Sequence, residues 1–314
     1  RWRRLPVWLE NLAAAALTSD VDASDALAAV AVDGRPLAPG AGAVLASGAR
    51  VERTAEGGLR YLPAGAFDDL PAGAAREDRF EVEVSDGRAS ARVSVAATVE
   101  GANDAPVSGP AQVLFFGEDA AGRAVALLAG ASDPDAGAVL SVAAVRASAV
   151  GPRGPRAVEV ALDAATGVLG LADGGFEDLA AGESATVTVA WDLTDGDAVV
   201  AGAPATITVL GADDLPAIPA PLFATDEDAA LALEVIPPGA DPDAGAAPRV
   251  LSLAGTPVAE GEGVTLASGA RVTLEAAGRV RFDPAGAYHA LPAGAEAEER
   301  FEIRVGDADG ATVV

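Results

Sequence analysis

Carboxylates recur in this chain as short clusters, and hard divalent cations are the chemistry that such clusters suit. Asn103-Asp104, Glu118-Asp119 and Asp133-Pro134-Asp135 fall in one stretch, and Asp213-Asp214, Asp226-Glu227-Asp228 and Asp241-Pro242-Asp243 repeat the order further along. Calcium takes about six to eight oxygen ligands, mixing carboxylates with carbonyls and water. An Asp-x-Asp on extended chain puts both carboxylates on one side, which suits a cation. Without an ion the same groups repel one another, and a bound divalent ion reverses the sign. An aspartate in a turn also caps its own backbone with no metal present. One cluster alone reads that way; recurrence at two places adds weight to a cation.

Other chemistries find less support. Paired carboxylates hydrolyse glycosides, but a catalytic pair belongs to one cleft, whereas these recur once per repeating unit. His289 is the sole histidine and sits beside Tyr288 in a loop, where a surface role is expected. No zinc-protease helix motif, phosphate loop or nucleophile elbow occurs. Trp191 is in phase with Val189 and Leu193, so it is expected in a core and not on a sugar-binding platform.

The elements that must position the clusters come as repeats. Leu45-Ala46-Ser47-Gly48-Ala49-Arg50-Val51 returns unchanged at 266–272, and Leu70-Pro71-Ala72-Gly73-Ala74 at 291–295, both at an offset of 221 (266 − 45 and 291 − 70). Asp20-Val21-Asp22, Asp133-Pro134-Asp135 and Asp241-Pro242-Asp243 mark three diverged copies, each of about 110 residues, a common size for a β-sandwich. The expected boundaries are 1–103, 104–213 and 214–314, the first copy with a degenerate or truncated N-terminal strand and the third with its last strand cut short. The absent initiating Met and the end at Val313-Val314 read as a fragment of something longer.

Local pattern predicts strands. Arg79-Phe80-Glu81-Val82-Glu83-Val84, Thr186-Val187-Thr188-Val189-Ala190-Trp191 and Arg300-Phe301-Glu302-Ile303-Arg304-Val305 alternate with period two, as antiparallel strands with one wet face do. Phe80, Val82 and Val84 are expected to point inward, with a last strand over Ala91–Val95. Ser47-Gly48 reads as a two-residue hairpin turn. Phe67 with Leu70, Phe176 with Leu179 and Tyr288 with Leu291 read as crossing loops that close the end of a core. Gly151–Arg156, lacking the hairpin sequence, reads as a looser loop, and only Trp8–Leu17 argues for a helix. The fold class expected is all-β, as antiparallel sandwich modules in series.

Composition bounds the setting. The 314 residues include no Cys and carry a net charge of −26. Nucleic acid would be repelled by such a surface, and disulfides are excluded. No run of about 18 apolar residues occurs, so no membrane insertion is expected.

Taken together, Asp-Glu-Asp-Ala, Asp-Pro-Asp, Leu-Ala-Ser-Gly-Ala-Arg-Val, Phe-x-x-Leu-x-x-Gly, the following strand, then Asp-Gly and Asn-Asp-Ala-Pro resemble the cadherin-like tandem repeats, of VCBS and RapA type, of bacterial RTX adhesins. The resemblance implies immunoglobulin-like sandwiches stacked serially, an extracellular or cell-surface setting reached by type I secretion, and Ca2+ at the joints. It makes neighbouring repeats the immediate partners. Carried over, it implies Asn103 and Asp104 as linker ligands, Asp133 and Asp135 from the following module and Asp86 from the preceding one, with Asp195 its counterpart. Glu118 and Asp119 match the acidic start of a repeat, as Glu227 and Asp228 do in the third copy. The second joint would use Asp213, Asp214, Asp241 and Asp243. The expected function is a calcium-stiffened spacer of an adhesin, supporting surface adhesion or biofilm; the alternatives are a glycan- or host-protein-binding module, or accessory domains of a secreted glycan-active enzyme.

Overall fold

A computed structural model describes residues 26–172, 174–220 and 222–307, with the backbone of 312–313. Trp8–Leu17 and Asp20–Asp22 lie outside the described residues. The described chain is all-β: it has no α-helix and one 3-10 turn at Ala276–Gly278. Three separate apolar clusters, each built within one of the repeats, form the cores.

The first unit contains β1 (Ala28–Val32), β2 (Arg35–Pro36), β3 (Gly42–Val44), β4 (Arg50–Arg53), β5 (Leu59–Leu62), β6 (Ala75–Ser85) and β7 (Ser90–Glu100). They form one sheet in the order β2-β1-β6-β7 and another in the order β3-β4-β5. The second unit opens with β8 (Gln112–Gly117), β9 (Ala124–Ala126), β10 (Ser141–Gly151), β11 (Gly154–Arg156) and β12 (Val160–Asp163). It continues with β13 (Val168–Leu171), β14 (Ser184–Thr194), β15 (Val199–Ala201) and β16 (Ala205–Leu210). Its sheets are β11-β10-β14-β16-β8, with β15 beside β14, and β12-β13-β9. The third unit contains β17 (Leu231–Glu234), β18 (Arg249–Leu253), β19 (Thr256–Pro257), β20 (Gly263–Thr265), β21 (Arg271–Leu274), β22 (Arg279–Asp283), β23 (Ile303–Gly306) and β24 (Thr312–Val313). It pairs them as β17-β22-β21-β20 and β19-β18-β23-β24. Each unit is thus two sheets packed over a core, the sandwich that alternating strands require.

One pairing governs where the acidic clusters lie. Strand β8 runs parallel to β16, Gln112 opposite Ala205 and Gly117 opposite Leu210. It therefore carries the chain along the whole second unit before Glu118 appears. The hairpin β6–β7 likewise runs its full length, from Ala75 opposite Glu100 to Ser85 opposite Ser90.

Phe80, Val82 and Val84 are buried in the first core, and Val189, Trp191 and Leu193 in the second. Phe67, Leu70, Phe176 and Leu179 close the ends of these cores as their spacing predicts, while Tyr288 is half-buried against the third. Two turns differ from expectation. The first hairpin loop has three residues, because Leu45 and Ala49 are still bonded (Leu45 N–H to Ala49 O, 2.8 Å) and Gly48 N–H closes a turn onto Leu45 O at 3.1 Å. Gly48 then takes φ +95°, a bulged three-residue connection in place of the two-residue one. Gly151–Arg156 is a tight hairpin, not a looser loop, with Gly151 opposite Gly154. Arg153 holds it by bonding Asp178 and Glu183.

Phe176 is the keystone of the second unit's lower end. It is 1% exposed, with the Arg123 and Arg156 guanidinium groups 5.6 and 4.8 Å from its ring centre. Phe176→Ala removes the ring and leaves both cations without their packing surface. The expected cost is about 3–5 kcal/mol, read as a lower urea midpoint for the second unit; a loss below about 1 kcal/mol contradicts this role.

Candidate metal centres at the joints

The chain leaves the first unit at Glu100 and enters the second through Gly101-Ala102-Asn103-Asp104. It leaves the second at Leu210 through Gly211-Ala212-Asp213-Asp214. Each linker is pressed onto the crossing loop of the unit it leaves. A Cβ on Gly101 would lie 2.4 Å from Leu70 O, and one on Gly211 would lie 2.4 Å from Leu179 O, so only glycine fits.

The same scaffold then appears twice. Asp104 N–H donates to Asp135 Oδ2 at 2.9 Å, and Asp135 N–H to Asp133 Oδ1 at 2.9 Å. Asp214 N–H donates to Asp243 Oδ2 at 2.9 Å, and Asp243 N–H to Asp241 Oδ1 at 3.0 Å. In each case the partner unit's crossing loop completes the clasp: Ala136 N–H meets Asp69 O at 3.0 Å, and Ala244 N–H meets Asp178 O at 3.3 Å. One oxygen of each aspartate is thereby fixed. The remaining ones, Asp133 Oδ2, Asp135 Oδ1, Asp241 Oδ2 and Asp243 Oδ1, are buried and accept no hydrogen bond. Buried carboxylate oxygens with no donor are costly and call for a cation.

The structure moves several expected ligands. Glu118 and Asp119 do not sit at the first joint; they belong to the second, because β8 delivers them beside the end of β16, where Glu118 N–H bonds Leu210 O at 2.9 Å. There Glu118, Asp214 and Asp243 bring carboxylate oxygens within 4.8 Å of one another, and so do Asp119, Glu177 and Asp214. The two groups share Asp214 and form adjacent pockets of oxygen. Glu118 is 2% exposed; one oxygen accepts the Ala212 N–H and the other has no partner. Arg123 Nη1 donates to Glu118 O at 2.9 Å, so the glutamate's backbone is held from behind.

Asp86 and Asp195 are also displaced from expectation. The linker leaves the first unit beside Ala75, whereas Asp86 lies beyond the opposite end of β6, about 33 Å away along an extended strand. Its carboxylate accepts the Arg88 and Ala89 N–H groups of its own turn. Asp195 turns back to the joint preceding its own unit, where the Asn103 side-chain amide donates to it at 3.0 Å. Asp307, its counterpart in the third unit, is buried and acts electrostatically on Asp241. Glu227 and Asp228 are not at the second joint. Asp228 Oδ1 lies 3.5 Å from His289 Nδ1, at the loop that answers to Glu177 in the second unit. Asp213 flanks the second joint and raises the field on Asp241.

The crossing-loop acids Asp68 and Glu177 and the turn acid Asp307 were missed as site residues. Their signal was present: Phe67-Asp68-Asp69-Leu70 and Phe176-Glu177-Asp178-Leu179 are one motif, whose acidic middle points to the joint while Phe and Leu fill the core.

Titration follows from this crowding. Burial, with the neighbouring Asp214, Asp243 and Asp119 charges, pushes Glu118 from its ordinary 4.5 up to about 7 against the opposing Ala212 N–H. Asp104, Asp214 and Asp241 are raised as well, chiefly by burial and then by like charges. Asp195 is held low: burial is outweighed by the N–H groups of Ala198 and Asp197 and the Asn103 amide.

No described family of proteins matches the chain, and no curated protein matches it. Among solved structures it is similar to the mouse clustered protocadherin PcdhgC3 EC1-3, at 19% identity and TM-score 0.33 over 54% of each chain. It is similar to the protocadherin GammaB4 extracellular domain at 17% and 0.35, over 84% of this chain and 42% of that one. It also matches the endo-fucoidan hydrolase MfFcnA4 of glycoside hydrolase family 107 at 18% and 0.24, over 60% and 24%. The chain thus spans about half the length, or less, of these three proteins. Likenesses this distant bear no functional weight. The sandwich architecture stands on the strand order and pairing themselves.

Between about 4.5 and about 7 the folded chain holds a proton on Glu118 that the unfolded chain has lost, so stability without metal falls as pH rises across that window. Asp69, Asp178 and Asp195, all held below their ordinary 3.8, stay ionised throughout it. In chelator, the melting temperature is expected to fall as pH is raised from about 5 to about 8. A flat or rising profile by calorimetry contradicts this electrostatic account.

Proposed function

We propose that the chain is a run of cadherin-like modules, bounded near 103 and 213, whose joints bind calcium and so set the stiffness of an extracellular adhesion or spacer segment. The observation that carries the reading is the convergence of Glu118, Asp214 and Asp243 within 4.8 Å, each with a buried oxygen that accepts no hydrogen bond. Oxygen-only ligands from flexible linker and loop fit calcium, which accepts irregular geometry; zinc would favour nitrogen or sulfur, and magnesium a stricter octahedron. Glu118, Asp119 and Glu177 from one module, Asp213 and Asp214 from the linker, and Asp241, Asp243 and Asp307 from the next would hold the ions. At the first joint Asp68, Asn103, Asp104, Asp133, Asp135 and Asp195 would do so. The ion couples two modules because its ligands belong to both.

The repeat motifs support placing the chain among VCBS- and RapA-type repeats of bacterial surface adhesins. Extracellular calcium modules bind at about 10⁻⁴–10⁻³ M, so the joints would fill outside the cell and stay free of the ion within it. Among the described residues no helix is long and apolar enough to cross a membrane.

Millimolar calcium is expected to raise the melting temperature, each filled site stabilising by about 0.4–1.4 kcal/mol when free ion is about one to ten times Kd. Glu118→Gln keeps the shape, removes the buried charge, and is expected to weaken calcium binding at the second joint by at least about ten-fold by titration calorimetry. An unchanged melting temperature in calcium overturns the reading. Full-affinity binding by Glu118→Gln moves the site elsewhere.

A further inference from the structure

The solvent face of the second module's larger sheet is chemically unlike its counterpart on the first. Thr186 and Thr188 of β14 lie opposite Thr208 and Thr206 of β16, which lie opposite Phe115 and Val113 of β8. On this face its strands carry two charges, Arg146 and Asp192, which pair with each other at 3.6 Å, while Arg156 of β11 turns to Phe176 and Asp178. Five of the eleven exposed large apolar side chains among the described residues are on this face, with Val113 68% and Phe115 65% exposed. The equivalent surface of β6 and β7 in the first module carries Glu77, Arg79, Glu81, Glu83, Arg92 and Glu100, tied by surface ion pairs.

We propose that this face is where two copies of the chain associate, sheet against sheet, through their second modules. Each chain carries −26, so most other approaches bring carboxylates together. A cationic partner would be drawn to the acidic joints and to the first module, not to a face whose only charges cancel. A second copy presents the same uncharged surface, and a two-fold axis makes such a surface self-complementary. Five strands about 4.8 Å apart and about six residues long give a face of roughly 24 by 20 Å. That buries on the order of 1,000 Å² in total, at the weak end of specific interfaces. Association of this kind matters where many identical chains stand side by side. The remaining acidic surfaces oppose it, so added salt, which shortens the range of their repulsion, strengthens it. The proposal does not depend on the calcium reading.

Sedimentation equilibrium of the full chain with millimolar calcium, at about 0.05 and about 0.5 M salt, tests it. The expected result is a mass rising with concentration toward two chains, more readily at the higher salt. Thr188→Glu and Phe115→Glu, both at exposed positions and checked for an unchanged melting temperature, are expected to weaken association by at least about ten-fold. Thr98→Glu, on the first module's sheet, should leave it unchanged. A mass of one chain at every concentration, equal association in all variants, or growth past two chains overturns the proposal.

Discussion

Everything at the joints depends on one electrostatic conflict: carboxylates from two modules and a linker are gathered out of water with more oxygens than donors. Backbone N–H groups answer half of each Asp-x-Asp, through Asp135 and Asp243, and leave the other half facing inward. Glu118 sharpens the conflict at the second joint, because it is almost wholly buried and has one N–H partner for two oxygens. A divalent cation would resolve it, and on the proposed reading would couple modules whose apolar cores are separate.

The modules themselves are ordinary sandwiches, and what makes them joinable is the routing of the chain. Strand β8 runs beside β16 so that both end at the same pole, bringing the start and the end of the second module together at its second joint. The crossing loop lies at that pole too, its Phe176 and Leu179 sunk in the core and its Glu177 turned to the joint. Core packing thus positions the acidic cluster. Arg123, buried between Phe176 and the Glu118 backbone, links the two directly.

Much of this was legible in the sequence because it is local. Period-two alternation identified the central strands and their inward residues, and the repeat offsets mark where the motifs recur. The Asp-x-Asp pairs and linker acids follow from the same repetition. What was not legible is long-range: nothing in Gly117-Glu118-Asp119 says at which pole of its module it emerges, since that depends on the parallel pairing of β8 with a strand about ninety residues later. Asp86 and Asp195 fall away from the joints that follow them because each sits at a turn one full strand from the linker, at the far end of β6 and of β14. The acids of the crossing loops went unread because Phe and Leu in those motifs accounted for the pattern on packing grounds alone. The three-residue hairpin at Ser47-Gly48 escaped because one residue of loop length changes no side chain's type.

The chain has no cysteine, so a pair introduced at the exposed Ala164 and Thr265 would carry spin labels on the second and third modules with no competing thiol. The distance distribution between those labels, measured with and without calcium, tests most directly whether the ion couples the modules. A broad distribution in chelator that narrows in millimolar calcium, and stays broad in Glu118→Gln, is the predicted result. Equal widths with and without calcium in the parent chain would contradict the account.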